Sequence, residues 1–247
     1  MSLRALRRAV ALGLALAACV FRYWILRLRG PVPLERRAAW LQQSSRGVLS
    51  SLGIRTRVEG RPPARGLIVC NHLSYLDILI LSAATPCFFV SKAEIAGWPY
   101  FGSAARAGGT VFLVRGDRVS AEAAAAEMAQ RLKLTVPLLL FPEGTSTDGS
   151  RVLRFHSRLI QPAIDVAAPV TAAAVRYAID GGVPERELCW FGDAAFLPHL
   201  WKALGTAGFS AEVRFGTPRV YTDRRTAAAQ THGEVEDLRA EMRADVP

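Results

Sequence analysis

Apolar and polar positions along this chain fall into blocks, and the first block predicts a membrane-associated helix. Residues 9–21 are uninterrupted apolar sequence, and a helix here extends to Leu28 if Arg22 and Arg27 reach towards the lipid headgroups. The uninterrupted stretch spans about 20 Å as a helix, less than the ~30 Å hydrocarbon core of a bilayer. Because arginines flank both ends, the positive-inside rule gives no clear orientation, and we expect a monotopic or re-entrant anchor rather than a single span.

After this anchor, short apolar runs separated by turn residues predict strands and helices in alternation. The strands are expected at residues 55–60, 66–70, 88–90, 111–114, 136–141, 170–175, 187–191 and 211–215, and the helices at 34–52, 74–81, 121–133, 159–167 and 232–244. Ser74 and Ser120 are the predicted N-caps of the helices that follow them. This order predicts an α/β fold with a mixed, mostly parallel sheet flanked by helices.

Composition narrows the class of protein. The chain has 247 residues, of which 51% are hydrophobic, and this excludes an intrinsically disordered protein. Its four cysteines show no CxxC spacing, so we expect neither a disulfide scaffold nor a structural zinc site. A reducing compartment follows as the expected location.

The net charge of +10 is concentrated at the N-terminus. Residues 1–65 hold thirteen arginines against Glu35 and Glu59, a net of +11, whereas the remaining chain has eighteen basic and nineteen acidic side chains, a net of −1. A basic segment beside an apolar helix favours anionic lipid headgroups as the partner, not nucleic acid.

Two segments place candidate chemistry directly after predicted buried strands. His72 and Asp77 follow the strand at 66–70, and Glu143 follows the strand at 136–141. Asp77 can orient His72 as a general base, or it can serve only as a cap for backbone amides, and the spacing alone leaves both open. Ligands bind outside the carboxyl ends of strands in open α/β sheets, so a carboxylate there suits a polar, hydroxyl-bearing substrate.

A third segment, Gly109 to Arg115, is a predicted strand that leads to an arginine able to clamp a phosphate. Together the three segments resemble the motifs of the lysophosphatidic acid acyltransferase (PlsC-like) superfamily. The first motif matches at Asn71, His72, Ser74 and Asp77, the second at Gly109, Phe112 and Arg115, and the third from Phe141 through Glu143 and Gly144 to Thr145. The resemblance covers roughly residues 35 to 220.

The resemblance implies direct acyl transfer without metal or cofactor. His72, oriented by Asp77, takes the proton from a lysolipid hydroxyl, which attacks the thioester of acyl-CoA or acyl carrier protein. The remaining motif residues are expected to bind substrate: Asn71, Ser74, Arg115, Glu143, Gly144 and Thr145. The expected organisation is a membrane anchor at residues 1–30, a PlsC-like domain at 31–222 and a polar helical tail at 223–247. We expect the enzyme at the cytoplasmic face of the inner membrane.

The acceptor is the least determined part of this prediction. The expected acceptor is 1-acyl-sn-glycerol-3-phosphate, which yields phosphatidic acid, but Ser146 stands where the third motif usually has an arginine. Arg151, Arg154 or Arg158 can compensate for that loss, or the acceptor is another lysolipid such as lyso-ornithine lipid. A non-catalytic lipid-binding protein is the alternative from another class.

Overall fold

The computed structural model describes residues 2–114 and 116–244, with side chains to residue 242. The helices are α1 (Leu3–Leu28), α2 (Leu34–Leu52), α3 (Leu76–Ala84), α4 (Phe101–Gly108), α5 (Arg118–Leu132), α6 (Gln161–Asp165), α7 (Phe196–Gly205) and α8 (Arg224–Ala244). The strands are β1 (Arg55–Glu59), β2 (Leu67–Cys70), β3 (Phe88–Lys92), β4 (Val111–Leu113), β5 (Leu138–Leu140), β6 (Val170–Ile179) and β7 (Phe209–Phe215). Short 3-10 helices lie at Ala93–Gly97, Ser157–Ile160 and Glu185–Leu188.

Within the described residues, the seven strands form one sheet in the order β1-β7-β6-β2-β5-β3-β4. Neighbouring strands run parallel except β6 and β7, which are antiparallel. The predicted α/β fold with a mixed, mostly parallel sheet is therefore confirmed. Because β2 and β5 are adjacent and parallel, with Val69 opposite Leu140, the segments that follow them leave the same edge of the sheet.

Two apolar cores cover the faces of the sheet. On one face, α5, α6 and α8 bury side chains such as Met128, Ala163 and Val235 against the strands. On the other, α2, α3 and α7 contribute Leu49, Ile80 and Ala203. The fully apolar sequences of β2 and β5 follow from this arrangement, since a strand covered on both faces has no side chain that reaches solvent.

Helix α8 lies in the segment predicted as a polar tail, residues 223–247. It packs on β6 and buries Ala227, Val235 and Met242 completely. One charged side chain of α8, Arg239, is also buried, with 4% of its surface exposed.

Helix α1 runs along the surface of the domain. It contacts α2 and α7, and Ala5 and Cys19 are buried in that contact. The Arg8 guanidinium donates to the Thr206 carbonyl at 2.7 Å, and the Trp40 indole donates to the Cys19 carbonyl at 3.1 Å. Among the described helices, α1 alone is long and apolar enough to cross a membrane, and only 6% of its most apolar window is buried.

The structure corrects several local predictions. The strand expected at 187–191 is absent from the described sheet, because Glu185–Leu188 forms a 3-10 turn that packs on β6 and buries Leu188 without joining the ladder. The helix predicted at 159–167 is a 3-10 turn followed by the short α6. Helices α4 and α7 were not predicted, and α7 contains Pro198 in its first turn.

Neither predicted serine N-cap is correct. Asp117 caps α5 by accepting from the Val119 amide at 3.0 Å, and the Ser120 hydroxyl instead accepts from the Val114 amide at 3.0 Å. Tyr75 occupies the N-cap position of α3, and its side chain makes no capping bond. The Ser74 hydroxyl is buried without a hydrogen-bond partner among the described residues.

Candidate active site

His72 and Asp77 lie together at the carboxyl end of β2, where the chain turns into α3. The Nδ1 atom of His72 is 2.7 Å from Oδ2 of Asp77. The same oxygen accepts the amides of Leu73 at 2.7 Å and Ser74 at 3.0 Å. A turn between the strand and the helix brings the two side chains together, although they are five residues apart. Asp77 therefore caps the loop amides and contacts the imidazole at the same time.

This geometry fixes the tautomer of His72. Asp77 Oδ2 accepts every other hydrogen bond that it makes, so Nδ1 of His72 carries the proton and Nε2 carries the lone pair. Nε2 has no hydrogen-bond partner among the described residues, and 21% of the side chain is exposed. The ring stacks on Phe141 with centroids 4.0 Å apart and planes 14° apart. The imidazole is thus held in place with its basic nitrogen accessible.

Glu143, in the loop after β5, holds the backbone of His72. Its Oε1 accepts the His72 amide and its Oε2 accepts the Leu153 amide, each at 2.7 Å. Burial raises the pKa of Glu143, and these two amide bonds oppose the rise. The Thr147 amide donates to the His72 carbonyl at 2.9 Å. The loop after β5 therefore hydrogen-bonds to both backbone polar groups of His72, through Glu143 and Thr147.

Asn71 extends the pairing of β2 by one residue through its side chain. Its Oδ1 accepts the Val175 amide at 2.9 Å, and its Nδ2 donates to the Val175 carbonyl at 3.1 Å. The last backbone pairing of β2 with β6 joins Cys70 and Ala173. The amide side chain thus satisfies β6 while the backbone turns away towards His72.

Two more of the predicted substrate-binding residues, Gly144 and Thr145, lie in the loop after β5. Gly144 has φ 74°, which suits glycine, and its amide donates to the Phe141 carbonyl at 3.0 Å. Thr145 is exposed, and Arg115 lies outside the described residues. The substrate-binding roles of Asn71, Ser74, Arg115, Glu143, Gly144 and Thr145 stay predictions.

Ser146 closes the loop after β5 against another part of the chain. Its hydroxyl donates to the carbonyl of Trp190, and the Trp190 amide donates to the Leu73 carbonyl at 2.8 Å. Arg151, Arg154 and Arg158, the candidates for compensation, are all exposed. His156 is exposed as well.

Three residues that the sequence did not single out surround this site: Tyr177 and Arg239 are buried, and Glu185 is partly buried. The Tyr177 hydroxyl donates to Oδ1 of Asp77. Glu185 accepts the Tyr177 amide at 2.8 Å and pairs with Arg239 at 2.8 Å. The one sequence signal was a hydroxyl-bearing ring within the apolar run of β6. No group of three or more His, Cys, Asp or Glu in the described part of the chain is arranged to hold a metal ion.

At one edge of the mostly parallel sheet, a histidine–carboxylate pair thus lies beside a Glu-Gly-Thr loop, an arrangement suited to removing a proton from a hydroxyl. The family model described as "Acyltransferase" matches residues 55–176, which include His72, Asp77 and Glu143, and the chain belongs to this family. The resemblance to the PlsC-like acyltransferases is thereby confirmed.

Several curated relatives are similar over most of the chain. A lyso-ornithine lipid O-acyltransferase from Rhodobacter capsulatus is 40% identical over 70% of this chain and 64% of its own length. Another lyso-ornithine lipid O-acyltransferase, from Pseudomonas aeruginosa, is 37% identical over 79% of this chain and 74% of its own length. A 1-acyl-sn-glycerol-3-phosphate acyltransferase from Neisseria meningitidis is 33% identical over 75% and 73%.

The fold is also that of a solved structure. The crystal structure of the 1-acyl-sn-glycerophosphate acyltransferase PlsC from Thermotoga maritima matches 99% of this chain and 97% of its own, with a TM-score of 0.72. At 19% sequence identity this similarity shows the fold alone.

Proposed function

We propose that this protein is a membrane-associated lysolipid O-acyltransferase in which His72 is the general base. Nε2 of His72 takes the proton of the acceptor hydroxyl, and the oxygen attacks the carbonyl carbon of the donor thioester. The carbon–sulfur bond breaks as the ester forms, and the proton passes from His72 to the leaving thiolate. Both substrates are bound together, so the transfer needs no covalent acyl-enzyme.

The observation that carries this proposal is the orientation of His72. Asp77 holds Nδ1 at 2.7 Å, Glu143 and Thr147 hold the backbone, and Nε2 is left without a partner among the described residues. Imidazolium forms when Nε2 takes a proton, and the adjacent carboxylate stabilises that charge. The site thus has an oriented base and a counter-ion for its charged state.

The test is His72→Ala, with His156→Ala as a matched control in an exposed position of a nearby loop. We expect His72→Ala to lower kcat by at least the ~10²–10⁴-fold that a general base supplies. His156→Ala should stay within a few-fold of the wild type. If His72→Ala retains wild-type turnover, His72 is not the base. If the wild type binds lysolipid but transfers no acyl group, the non-catalytic alternative is favoured instead.

For the acceptor we propose lyso-ornithine lipid, with 1-acyl-sn-glycerol-3-phosphate as the second candidate. Ser146 supports this order, because a hydroxyl bound to the Trp190 carbonyl cannot pair with a phosphate as the usual arginine would. The lyso-ornithine lipid enzymes from Rhodobacter and Pseudomonas, at 40% and 37% identity, support it as well. The Neisseria relative, at 33%, supports the second candidate.

The acceptor test offers both lysolipids to the purified protein with labelled acyl-CoA and, in parallel, with acyl carrier protein thioester. A higher kcat/KM with lyso-ornithine lipid is the expected result. Efficient acylation of 1-acyl-sn-glycerol-3-phosphate instead would mean that arginines elsewhere in the chain bind the phosphate, since position 146 is a serine. In that case Arg115, Arg151, Arg154 and Arg158 are the residues to replace.

We propose that α1 anchors the enzyme in the plane of the cytoplasmic face of the inner membrane. One side of α1 packs along the domain from Ala5 to Leu26, while Leu14, Phe21 and Trp24 are exposed on its other faces. A helix held along its length cannot cross the bilayer without carrying the domain with it. Deletion of residues 1–30 should therefore move the protein to the soluble fraction, and unchanged partitioning would refute the anchor.

A further inference from the structure

The mechanism above uses one oxygen of the Asp77 carboxylate and leaves the other unexplained. Oδ2 accepts from His72, Leu73 and Ser74. Oδ1 accepts from the hydroxyl of Tyr177, which lies on β6 one hundred residues further along the chain. Asp77 is 0% exposed and Tyr177 is 1% exposed, so bulk solvent cannot supply a replacement donor.

We propose that Tyr177 is a positioning residue of this acyltransferase, which acts on His72 through Asp77. The inference rests on the proposed role of His72 as the base. Three donors hold Oδ2 of Asp77, and the Tyr177 hydroxyl is the donor that holds Oδ1, so it adds to the resistance of the carboxylate to rotation about its Cβ–Cγ bond. Tyr177 thereby helps to fix Asp77, and Asp77 in turn fixes the tautomer and the ring plane of His72.

Tyr177 is suited to this role because its hydroxyl keeps its proton. Burial raises the pKa of Tyr177 well above its ordinary value, and the neighbouring charge of Asp77 raises it further. The hydroxyl is therefore a permanent donor to Oδ1, and the carboxylate needs no proton of its own to satisfy that contact. An acceptor-only carboxylate is what Nδ1–H of His72 requires.

A second layer of contacts fixes Tyr177 itself. Its amide donates to Oε1 of Glu185 at 2.8 Å, and Oε2 of Glu185 pairs with Arg239 at 2.8 Å. Arg239, from α8, also donates to the Gly149 carbonyl at 2.9 Å and to the Val175 carbonyl. Helix α8 is thereby tied to β6 and to the loop of the third motif. The network makes the C-terminal helix part of the support of the candidate site.

The test is Tyr177→Phe, which removes the hydroxyl and keeps the ring. Tyr221→Phe is the matched control, because the Tyr221 hydroxyl is also buried but has no hydrogen-bond partner in the described part of the chain. In metal sites, loss of the group that orients a ligating side chain typically costs about 10–100-fold, and Tyr177 stands in the same relation to Asp77 and His72. We expect a fall of that size in kcat for Tyr177→Phe, with both KM values within about twofold of the control.

An independent readout keeps this test separate from the proposed activity. In protein labelled with ¹⁵N-histidine, the Nδ1–H proton of His72 should give a downfield signal that disappears in His72→Ala. Tyr177→Phe should shift or broaden this signal, and Tyr221→Phe should leave it unchanged. A wild type without acyltransferase activity would refute the proposed function, but the signal would still report on the contact with Asp77.

Two results would overturn the inference: a kcat for Tyr177→Phe within twofold of that for Tyr221→Phe, or an unshifted His72 signal in Tyr177→Phe. If Tyr177→Phe does not fold, p-aminophenylalanine at position 177 retains the ring and an N–H donor. That variant should keep kcat within about tenfold of the wild type and preserve the His72 signal. A folded p-aminophenylalanine variant with neither that kcat nor the His72 signal would also refute the role of the donor at position 177.

Discussion

Asn71 offers a test of what the first residue of the motif contributes. It was predicted to bind substrate, yet both polar atoms of its side chain are bonded to the backbone of Val175, and it is 2% exposed. We expect Asn71→Ala to act first on stability, because the variant leaves the Val175 amide buried without an acceptor. Asn71→Asp should be at least as harmful, since one carboxylate oxygen would face the Val175 carbonyl.

The magnitude follows from the two bonds. Each contributes about 1 kcal/mol net, and a buried donor left unpaired costs about 1–3 kcal/mol. The Val175 carbonyl retains Arg239 as a donor, so its loss is partial. The expected destabilisation is about 2–3 kcal/mol, which corresponds to a fall in Tm of about 4–12 °C for a chain of this size. Because His72 is the next residue, kcat should fall as well.

The assay is denaturant unfolding combined with steady-state kinetics at a temperature where every variant is folded. Thr171→Val is the matched control. Thr171 lies on β6, as Val175 does, and its buried hydroxyl has no hydrogen-bond partner among the described residues. This control should be neutral or stabilising. If the free energy of unfolding of Asn71→Ala is within about 0.5 kcal/mol of that of the wild type and only the acceptor KM rises, the structural argument fails. The substrate-binding prediction is then favoured.

Two further predictions concern the surroundings of the site. Gly149 has φ 79°, and a Cβ there would lie 2.7 Å from Oε2 of Glu185, so Gly149→Ala should destabilise the protein by about 2 kcal/mol. Gly181→Ala, with φ 87° and nothing within 4 Å, is the control, and equal Tm losses in the two variants would exclude a role for the Glu185 contact. Burial, helped by the charge of Lys202, lowers the pKa of His199 below its ordinary 6.5. The unfolded chain therefore binds a proton that the folded protein does not, and stability should fall as pH drops below about 6.5. His199→Phe should remove part of that fall in urea unfolding between pH 7.5 and pH 5, and an identical pH dependence would contradict it.

The sequence predicted most of the sheet because the strands that build it are buried on both faces. Such strands appear as continuous apolar runs. The first motif directly follows β2, and the third motif directly follows β5. Adjacent parallel strands then bring His72 and Glu143 to the same edge, where Glu143 accepts the His72 amide. Local rules were sufficient here, since each motif is a strand end followed by a turn.

The contacts that complete the site were beyond prediction because they join residues far apart in the sequence. Tyr177 reaches Asp77 across 100 residues, and Arg239 reaches Gly149 across 90. A buried arginine in a helix with many charged neighbours looks like any solvated residue until the tertiary contacts are known. The strand expected at 187–191 failed for a related reason, because burial of Leu188 comes from packing on β6 and not from strand pairing.

Some motif residues contact His72 and others do not, and this difference suggests how related sites can serve different acceptors. Asp77 accepts from the His72 ring and Glu143 accepts from the His72 amide, so replacing either one disturbs the proposed base itself. Ser146, by contrast, is bonded only to the Trp190 carbonyl among the described residues. A change at this position alters the charge beside the site and the hold on the Trp190 segment, but it leaves every contact of the His72 ring intact. Acceptor specificity can therefore diverge at position 146 while the machinery for proton transfer stays the same.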